Sequence, residues 1–463
     1  MFKVKSVILP VLLILTACSD NPHTSVIEIP VPERPAGQGD MVAFAAEPLD
    51  SVRIGFIGLG MRGPGAVERM LNIDGAIVKA ICDIEPERCD SVQAMIARAG
   101  AAPADVYTGN DTVWRELVAR PDIDLVYVVT DWRKHAVMGV AAMEAGKHVA
   151  IEVPAAMTLD EIWDLINTSE RTRRHCMMLE NCVYDFFEIN TLNMAQNGVF
   201  GEVLHVEGSY IHNLADFWDA YYDNWRLEFN HHNRGDVYPT HGMGPACQLL
   251  NMHRGDRMTT LVAMDTDPFT GPGIVERQTG SRPSDYLNGD HTMTMIRTLK
   301  GKTIHIQHDV VNPRPYSRMY QLTGTKGFAN KYGREGYAIE PDSSTVSGMP
   351  DLYNLNAHNW MSDEQQAALV ARYTHPIVSE VGEIAKRIGG HGGMDYMMDY
   401  RLIYCLRNGL PLDMDVYDMA EWCSLVPLTA ISIENGSAPV AVPDFTRGAW
   451  DRVKGYRHVY KTK

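Results

Sequence analysis

The segment Gly58-Leu59-Gly60-Met61-Arg62-Gly63 follows directly on an apolar run, Val52 to Ile57, and is followed by Pro64 and a helical pattern from Gly65 to Leu71. Three glycines so spaced between a strand and a helix leave few folds open. The first permits a tight turn, the second lets main chain approach a bound group, and the third lets the helix pack close to the strand. The helix start adds unpaired N–H groups and the positive end of a dipole, which suit a phosphate. Asp83 closes the next apolar run, Ala76 to Cys82, at the customary spacing of about 20 residues. A carboxylate there accepts hydrogen bonds from ribose hydroxyls and repels a 2′-phosphate, so the expected ligand is NAD, held by Gly58, Gly60, Gly63 and Asp83.

Short apolar runs alternate with helical patterns beyond this point. Asp124 to Val129 and His148 to Glu152 read as strands, and His135 to Ala145 and Leu159 to Arg173 as helices. Strands apolar on both faces and separated by helices imply an α/β, doubly wound parallel sheet of the Rossmann kind over residues 51–180. From about Cys176 the pattern changes. Val203 to Tyr210, Thr292 to Arg297 and Thr303 to His308 alternate, and helical stretches at Asp363 to Val370, Val378 to Ile388 and Ala420 to Ile433 would cover them. Residues 181–463 are therefore expected to form an α+β domain on a mixed or antiparallel sheet. A chain of 463 residues accommodates two such domains.

The N-terminus reads as a processing signal: Lys3 and Lys5, an apolar stretch from Val7 to Leu15, then Leu15-Thr16-Ala17-Cys18. The last four residues resemble a bacterial lipobox, which implies that residues 1–17 are a signal peptide and that Cys18 carries lipid. The expected location is the cell envelope, anchored to a membrane, with residues 18–50, rich in Pro and Gly, as a flexible tether. A formal net charge of −16 with no basic patch excludes a nucleic-acid role. The remaining seven cysteines include no Cys-x-x-Cys pair and are expected to be buried thiols.

Several separated motifs carry a family resemblance. The glycine loop, the strand ending at Glu152-Val153-Pro154 and the α+β second half resemble the Gfo/Idh/MocA oxidoreductases, in most of which lysine stands where this chain has Val153. Val153-Pro154-Ala155-Ala156, Glu180-Asn181-Cys182-Val183-Tyr184, Gly235-Asp236-Val237-Tyr238-Pro239-Thr240-His241-Gly242 and Pro313-Arg314-Pro315-Tyr316-Ser317-Arg318 are similar to one branch, glycoside hydrolase family 109. That resemblance implies an NAD-dependent α-N-acetylgalactosaminidase. Oxidation of the sugar at C3 acidifies the proton on C2, its loss expels the glycosidic oxygen from C1, water adds, and the ketone is reduced again.

The same resemblance assigns residues. His241, Tyr238 and Tyr184 are expected to be catalytic. Tyr210, Arg226, Tyr238, Pro239, Thr240, His241 and Tyr316 are expected to bind the sugar, with Tyr320 a competitor of Tyr316. Met61, Arg62, Trp132, Arg133, Lys134, His135, Glu152, Val153, Asn181 and Tyr238 join the glycines and Asp83 around NAD. No metal is expected: His231-His232-Asn233 and His253 belong to no zinc motif, and the reaction needs none. Other readings stay open: a sugar dehydrogenase, a sugar-binding lipoprotein without catalysis, or a conventional carboxylate pair drawn from Glu228, Asp236 and Asp290. A glycan ending in α-linked N-acetylgalactosamine is the expected partner, with self-association possible.

Overall fold

A computed structural model describes residues 26–341 and 355–461. Its first part runs β1 (Val52–Ile57), α1 (Gly63–Met70), β2 (Ala76–Cys82), α2 (Pro86–Arg98), β3 (Asp105–Tyr107), α3 (Trp114–Val118), β4 (Leu125–Val128), α4 (Trp132–Glu144), β5 (His148–Ile151), α5 (Leu159–Thr172) and β6 (Cys176–Met178). The six strands pair in parallel in the order β3-β2-β1-β4-β5-β6. Every residue of β4 and β5 is buried, as strands covered on both faces require. The order reverses between β1 and β4, and ligands of such sheets bind at the carboxyl ends of strands flanking that point. α4 begins at Trp132, three residues earlier than the sequence pattern indicates, because the Asp131 carboxylate accepts from the Arg133 N–H and caps the first turn.

The second part comprises α6 (Phe186–Gln196), β7 (Val203–Ile211), α7 (Trp225–His232), α8 (Thr240–Leu250), β8 (Met258–Asp265), α9 (Gly271–Thr279), β9 (Thr292–Thr298), β10 (Thr303–Asp309), β11 (Tyr320–Gly324), β12 (Gly327–Asn330) and β13 (Gly336–Ile339). α10 (Asp363–Tyr373), α11 (Pro376–Ile388), α12 (Met394–Asn408), α13 (Val416–Cys423), α14 (Leu425–Glu434) and β14 (Val440–Ala441) follow. Eight strands form a mixed sheet, β13-β12-β11-β7-β10-β9-β8-β14, in which β7 and β10 are parallel and the other neighbours antiparallel. Successive residues of β9 alternate between buried and exposed, the mark of a sheet covered on one face. The single helix expected over Ala420 to Ile433 is two, since Pro427 has no N–H to give the carbonyl of Cys423.

α8 lies directly on β7. A side-chain carbon on Gly208 would come within 2.7 Å of Gly242 Cα, so only two glycines allow the contact. The two parts are joined by a buried ion pair, Arg69 of α1 to Asp399 of α12 at 2.6 Å, with Tyr127 of β4 donating to the same carboxylate at 2.8 Å.

The tether expectation needs correction within residues 26–50. Met41 and Val42 are 2% exposed, Ile27 bridges to Val440, and Arg34 pairs with the buried Glu170 at 3.0 Å. The Arg173 guanidinium lies 4.3 Å from the Phe44 ring centroid. Pro and Gly here shape a strap, extended across the body and held by its occasional apolar and charged side chains. The signal segment and Cys18 lie outside the described residues.

Candidate active site

The glycine loop is fixed from below. Gly58 donates its N–H to the Cys82 carbonyl at 2.8 Å, and a side-chain carbon on Gly63 would stand 2.2 Å from the Gly58 carbonyl oxygen, so loop and helix touch main chain to main chain. The same probe at Gly60 meets nothing closer than the Arg88 guanidinium at 3.7 Å, which leaves room over the turn. Asp83 Oδ2 accepts from the Leu59 N–H at 2.6 Å and Oδ1 from the Glu85 N–H at 3.0 Å. Open space above Gly60, a helix N-terminus behind it and a fixed carboxylate at the end of β2 fit a dinucleotide.

One cavity of about 910 Å³ runs from this loop into the second domain. Its wall includes Gly58, Gly60, Met61, Arg62 and Asp83, the start of α4 from Trp132 to His135, and Glu152 with Val153. It continues through Tyr210, His212, Tyr221, Arg226, Tyr238, His241, Tyr316, Arg318 and His391. Trp132 supports the junction: its indole N–H donates to the Val153 carbonyl at 3.2 Å, and its ring stacks on Tyr238 at 5.6 Å. His135 is spent on structure, its ring held between the carbonyls of Pro154, 2.8 Å from Nδ1, and Thr130, 3.0 Å from Nε2, with one N–H to donate.

Four aromatic rings surround the guanidinium of Arg226, Tyr238 nearest at 4.7 Å and Trp132 at 5.0 Å. Cation–π attraction and a hydrogen bond to the Tyr221 hydroxyl at 2.8 Å keep this buried charge in place. His241 stands edge-on to Tyr238 at 5.0 Å and next to Tyr210 at 5.3 Å. Its Nδ1 is 2.7 Å from Oε1 of Glu180, which is fully buried.

Burial lowers the His241 pKa to about 4, and the Glu180 carboxylate only partly offsets this. The ring is therefore neutral near pH 7. Because an ionised carboxylate can only accept, Nδ1 carries the proton and Nε2 is left as a base. Burial raises Glu180, but its His241 bond and the Cys182 N–H outweigh that, so the carboxyl stays below its ordinary value. Burial raises Glu152 from its ordinary value and Tyr238 well above that of a phenol. The cavity thus pairs a neutral imidazole with a protonated phenol and two fixed cations, Arg226 and Arg318. Glu180, Cys182 and His241 hold ligand atoms within 4.8 Å of one another, but Arg318 Nη1 lies 3.2 Å from the Cys182 sulfur. A guanidinium in that position repels a metal cation.

The profile of "Oxidoreductase family, NAD-binding Rossmann fold" matches residues 52–180, and that of "Glycosyl hydrolase 109, C-terminal domain" matches residues 184–452. "Glycosyl hydrolase family 109 protein 1" of Phocaeicola vulgatus is 63% identical over 94% of this chain and 92% of its own. "Glycosyl hydrolase family 109 protein" of Porphyromonas gingivalis is 62% identical over 93% of this chain and 92% of its own. The chain belongs to glycoside hydrolase family 109. Among solved structures, levoglucosan dehydrogenase in complex with NADH superposes with a TM-score of 0.62 at 18% identity, covering 85% of this chain and 99% of that one. An NAD binding oxidoreductase from Klebsiella pneumoniae gives 0.61 at 17%, covering 85% and 100%; both likenesses are of fold.

NAD is accordingly the cofactor of this family 109 protein, and its Rossmann domain is the NAD-binding one. Most residues expected around cofactor and sugar meet in the one cavity, and five do not form its wall. Gly63 lies behind Gly58, while Pro239 and Thr240 form the buried start of α8. Asn181 stands behind His391, donating to Asp395 at 2.6 Å. Tyr184 requires a correction: it is fully buried away from the cavity, its hydroxyl donating to Asp413 at 2.9 Å, because the short helical turn Asn181–Tyr184 points its last residue inward. Between the competing tyrosines, Tyr316 lines the cavity, whereas Tyr320 is core and packs edge-on to Phe187.

The carboxylate-pair alternative is not supported by placement. Asp290 accepts from the N–H groups of Thr270 and Gly271, Asp236 from that of Tyr238, and Glu228 is exposed beside His232. Glu180, His212, Tyr221, Arg318 and His391 were not singled out from sequence. Glu180 and Arg318 sit inside the quoted motifs, while His391 is flagged only by the run Gly389-Gly390-His391-Gly392-Gly393.

Proposed function

We propose that this family 109 enzyme hydrolyses terminal α-linked N-acetylgalactosamine by a redox-neutral route in which NAD is used and regenerated within each turnover. The observation that carries the reading is that the glycine loop and His241, whose Nδ1 is held by the buried Glu180, share one cavity, with Val153 where most of the wider superfamily has a lysine. Gly58, Gly60, Met61, Arg62, Asp83 and the first turn of α4 would hold NAD, which when bound supplies reversible hydride exchange with a sugar carbon.

The chain's own groups manage protons and charge. With C3 a ketone, the C2 proton is acidic, and neutral Nε2 of His241 is suited to take it. The electrons of that C–H bond form the C1–C2 double bond, and the C1–O bond breaks. The departing oxygen takes a proton, for which Tyr238 is the phenol at hand. Arg226 and Arg318 hold positive potential where the enolate develops. Water then adds at C1 and its remaining proton restores Tyr238; His241, its proton exchanged with solvent, protonates C2, and the ketone is reduced. Tyr210 and Tyr316 offer ring faces to the sugar, and the arginines offer donors to hydroxyl or acetamido oxygens.

Release of nitrophenol from α-GalNAc, β-GalNAc and α-galactose glycosides, each with and without added NAD after stripping the protein, tests this. Cleavage of the α-GalNAc glycoside that depends on NAD is expected. Accumulation of a keto sugar with NADH would instead indicate a dehydrogenase.

We further propose export and lipid attachment at Cys18, on the strength of the lipobox-like sequence, which places the protein in the cell envelope. Cys18 to Ala is expected to move it from the membrane to the soluble fraction. Self-association remains a proposal, checked by sedimentation of the soluble form.

A further inference from the structure

Residues Gly389, Gly390, His391, Gly392 and Gly393 have φ of 90°, 81°, 46°, 75° and 114°, five consecutive left-handed positions. Four are glycine, which adopts such angles freely, and the fifth is a histidine, which does not. Adjacent main chain closes the turn: a side-chain carbon on Gly393 would lie 2.9 Å from the Ala385 carbonyl carbon. The turn joins α11 to α12 and carries the His391 ring into the wall of the cavity. There Nε2 lies 3.3 Å from both terminal nitrogens of Arg62, the residue between Met61 and Gly63 of the cofactor loop. Nδ1 lies 2.9 Å from Asp395, whose carboxylate also accepts from Asn181 at 2.6 Å and faces Arg69 at 3.6 Å.

Asp395 fixes the ring tautomer, since a carboxylate accepts from Nδ1–H and leaves Nε2 to accept from a guanidinium. The result is a relay of contacts from the second domain to the loop: Asn181 and Arg69 hold Asp395, Asp395 holds His391, and His391 holds Arg62. Holding a histidine at a left-handed position costs free energy, which the contacts of its ring with Arg62 and Asp395 offset.

We propose that His391 is a positioning residue that clasps Arg62 across the mouth of the dinucleotide site and thereby slows the loss of NAD. The proposal rests on the cofactor reading above and adds to it a residue outside the Rossmann domain. For an enzyme exported to a compartment poor in NAD, a slow off-rate keeps the site filled.

The test strips purified protein of nucleotide, loads it with labelled NAD, chases with excess unlabelled NAD, and follows label retained on gel filtration. The same set of proteins is melted without nucleotide. His391→Gly removes both bonds and relieves the left-handed backbone; it is expected to release NAD roughly ten-fold faster, as loss of one charge-assisted hydrogen bond implies. Its apo Tm is expected to stay at the wild-type value. His391→Gln, whose amide oxygen reaches where Nε2 does, is expected to restore much of the retention. Unchanged retention in His391→Gly, or a loss matched by a fall in apo Tm, would overturn the proposal. Wild-type protein that binds no labelled NAD would overturn the cofactor reading itself, and the clasp with it.

Discussion

His241 and Glu180 show what separates a motif from a mechanism. A histidine in Tyr-Pro-Thr-His is visible in the sequence, but the carboxylate 2.7 Å from it lies in another motif and was not assigned a role there. Glu180→Gln should therefore keep the fold and lower kcat on the order of 10²-fold with little change in KM. An effect confined to KM would contradict a role in orienting the base. Because burial already holds the His241 pKa at about 4, the acidic limb of kcat/KM should fall near there and not at the ordinary 6.5. Tyr238, His241 and Tyr316 are legible because they sit in motifs with distinctive neighbours, and they line the cavity together with Arg226 from the first turn of α7. Tyr184 misleads because a single short helical turn decides between cavity and core, and sequence spacing does not resolve one turn.

At the scale of elements, strands of the first domain were legible because β1, β4 and β5 are apolar throughout and bounded by turns. Boundaries moved where a side chain caps or fails to continue a helix, as at Asp131 and Pro427. The strap over residues 26–50 was misread since composition reports backbone preference but not the distant Glu170 and Val440 that hold it. Two contacts between elements lend themselves to measurement. Arg69→Ala strands the buried Asp399 and should cost about 3–5 kcal/mol in chemical denaturation. Gly242→Ala should push α8 off β7, where the added carbon would meet Gly208 at 3.0 Å, and so move His241 relative to Tyr210. Its signature would be lost turnover with NAD binding intact, read by nucleotide titration.

For the whole molecule, several buried histidines set the acid limit. Burial, the foremost cause in each case, lowers His148, His241 and His458 to about 4 from an ordinary 6.5. Unfolded chains bind those protons more readily, so stability is full above pH 6.5 and is lost as pH falls toward 4. His253 works oppositely: burial and Arg254 lower it, but Asp415, Glu421 and Asp418 outweigh them and raise it to about 10. Its contribution is present below 6.5 and lost as pH rises through 10. Urea midpoints across this range should trace a dome with its steep side below pH 6.5; a flat acid side would contradict the neutral-histidine assignment.

On the proposed route this NAD-binding fold cleaves a glycoside by moving a proton off and onto C2 without net oxidation. An α-GalNAc glycoside deuterated at C2, turned over in ordinary water with NAD present, tests it directly. Free sugar that has lost its C2 deuterium to solvent, with no net NADH formed, is the predicted outcome. Cleavage that leaves the C2 deuterium in place would contradict the account.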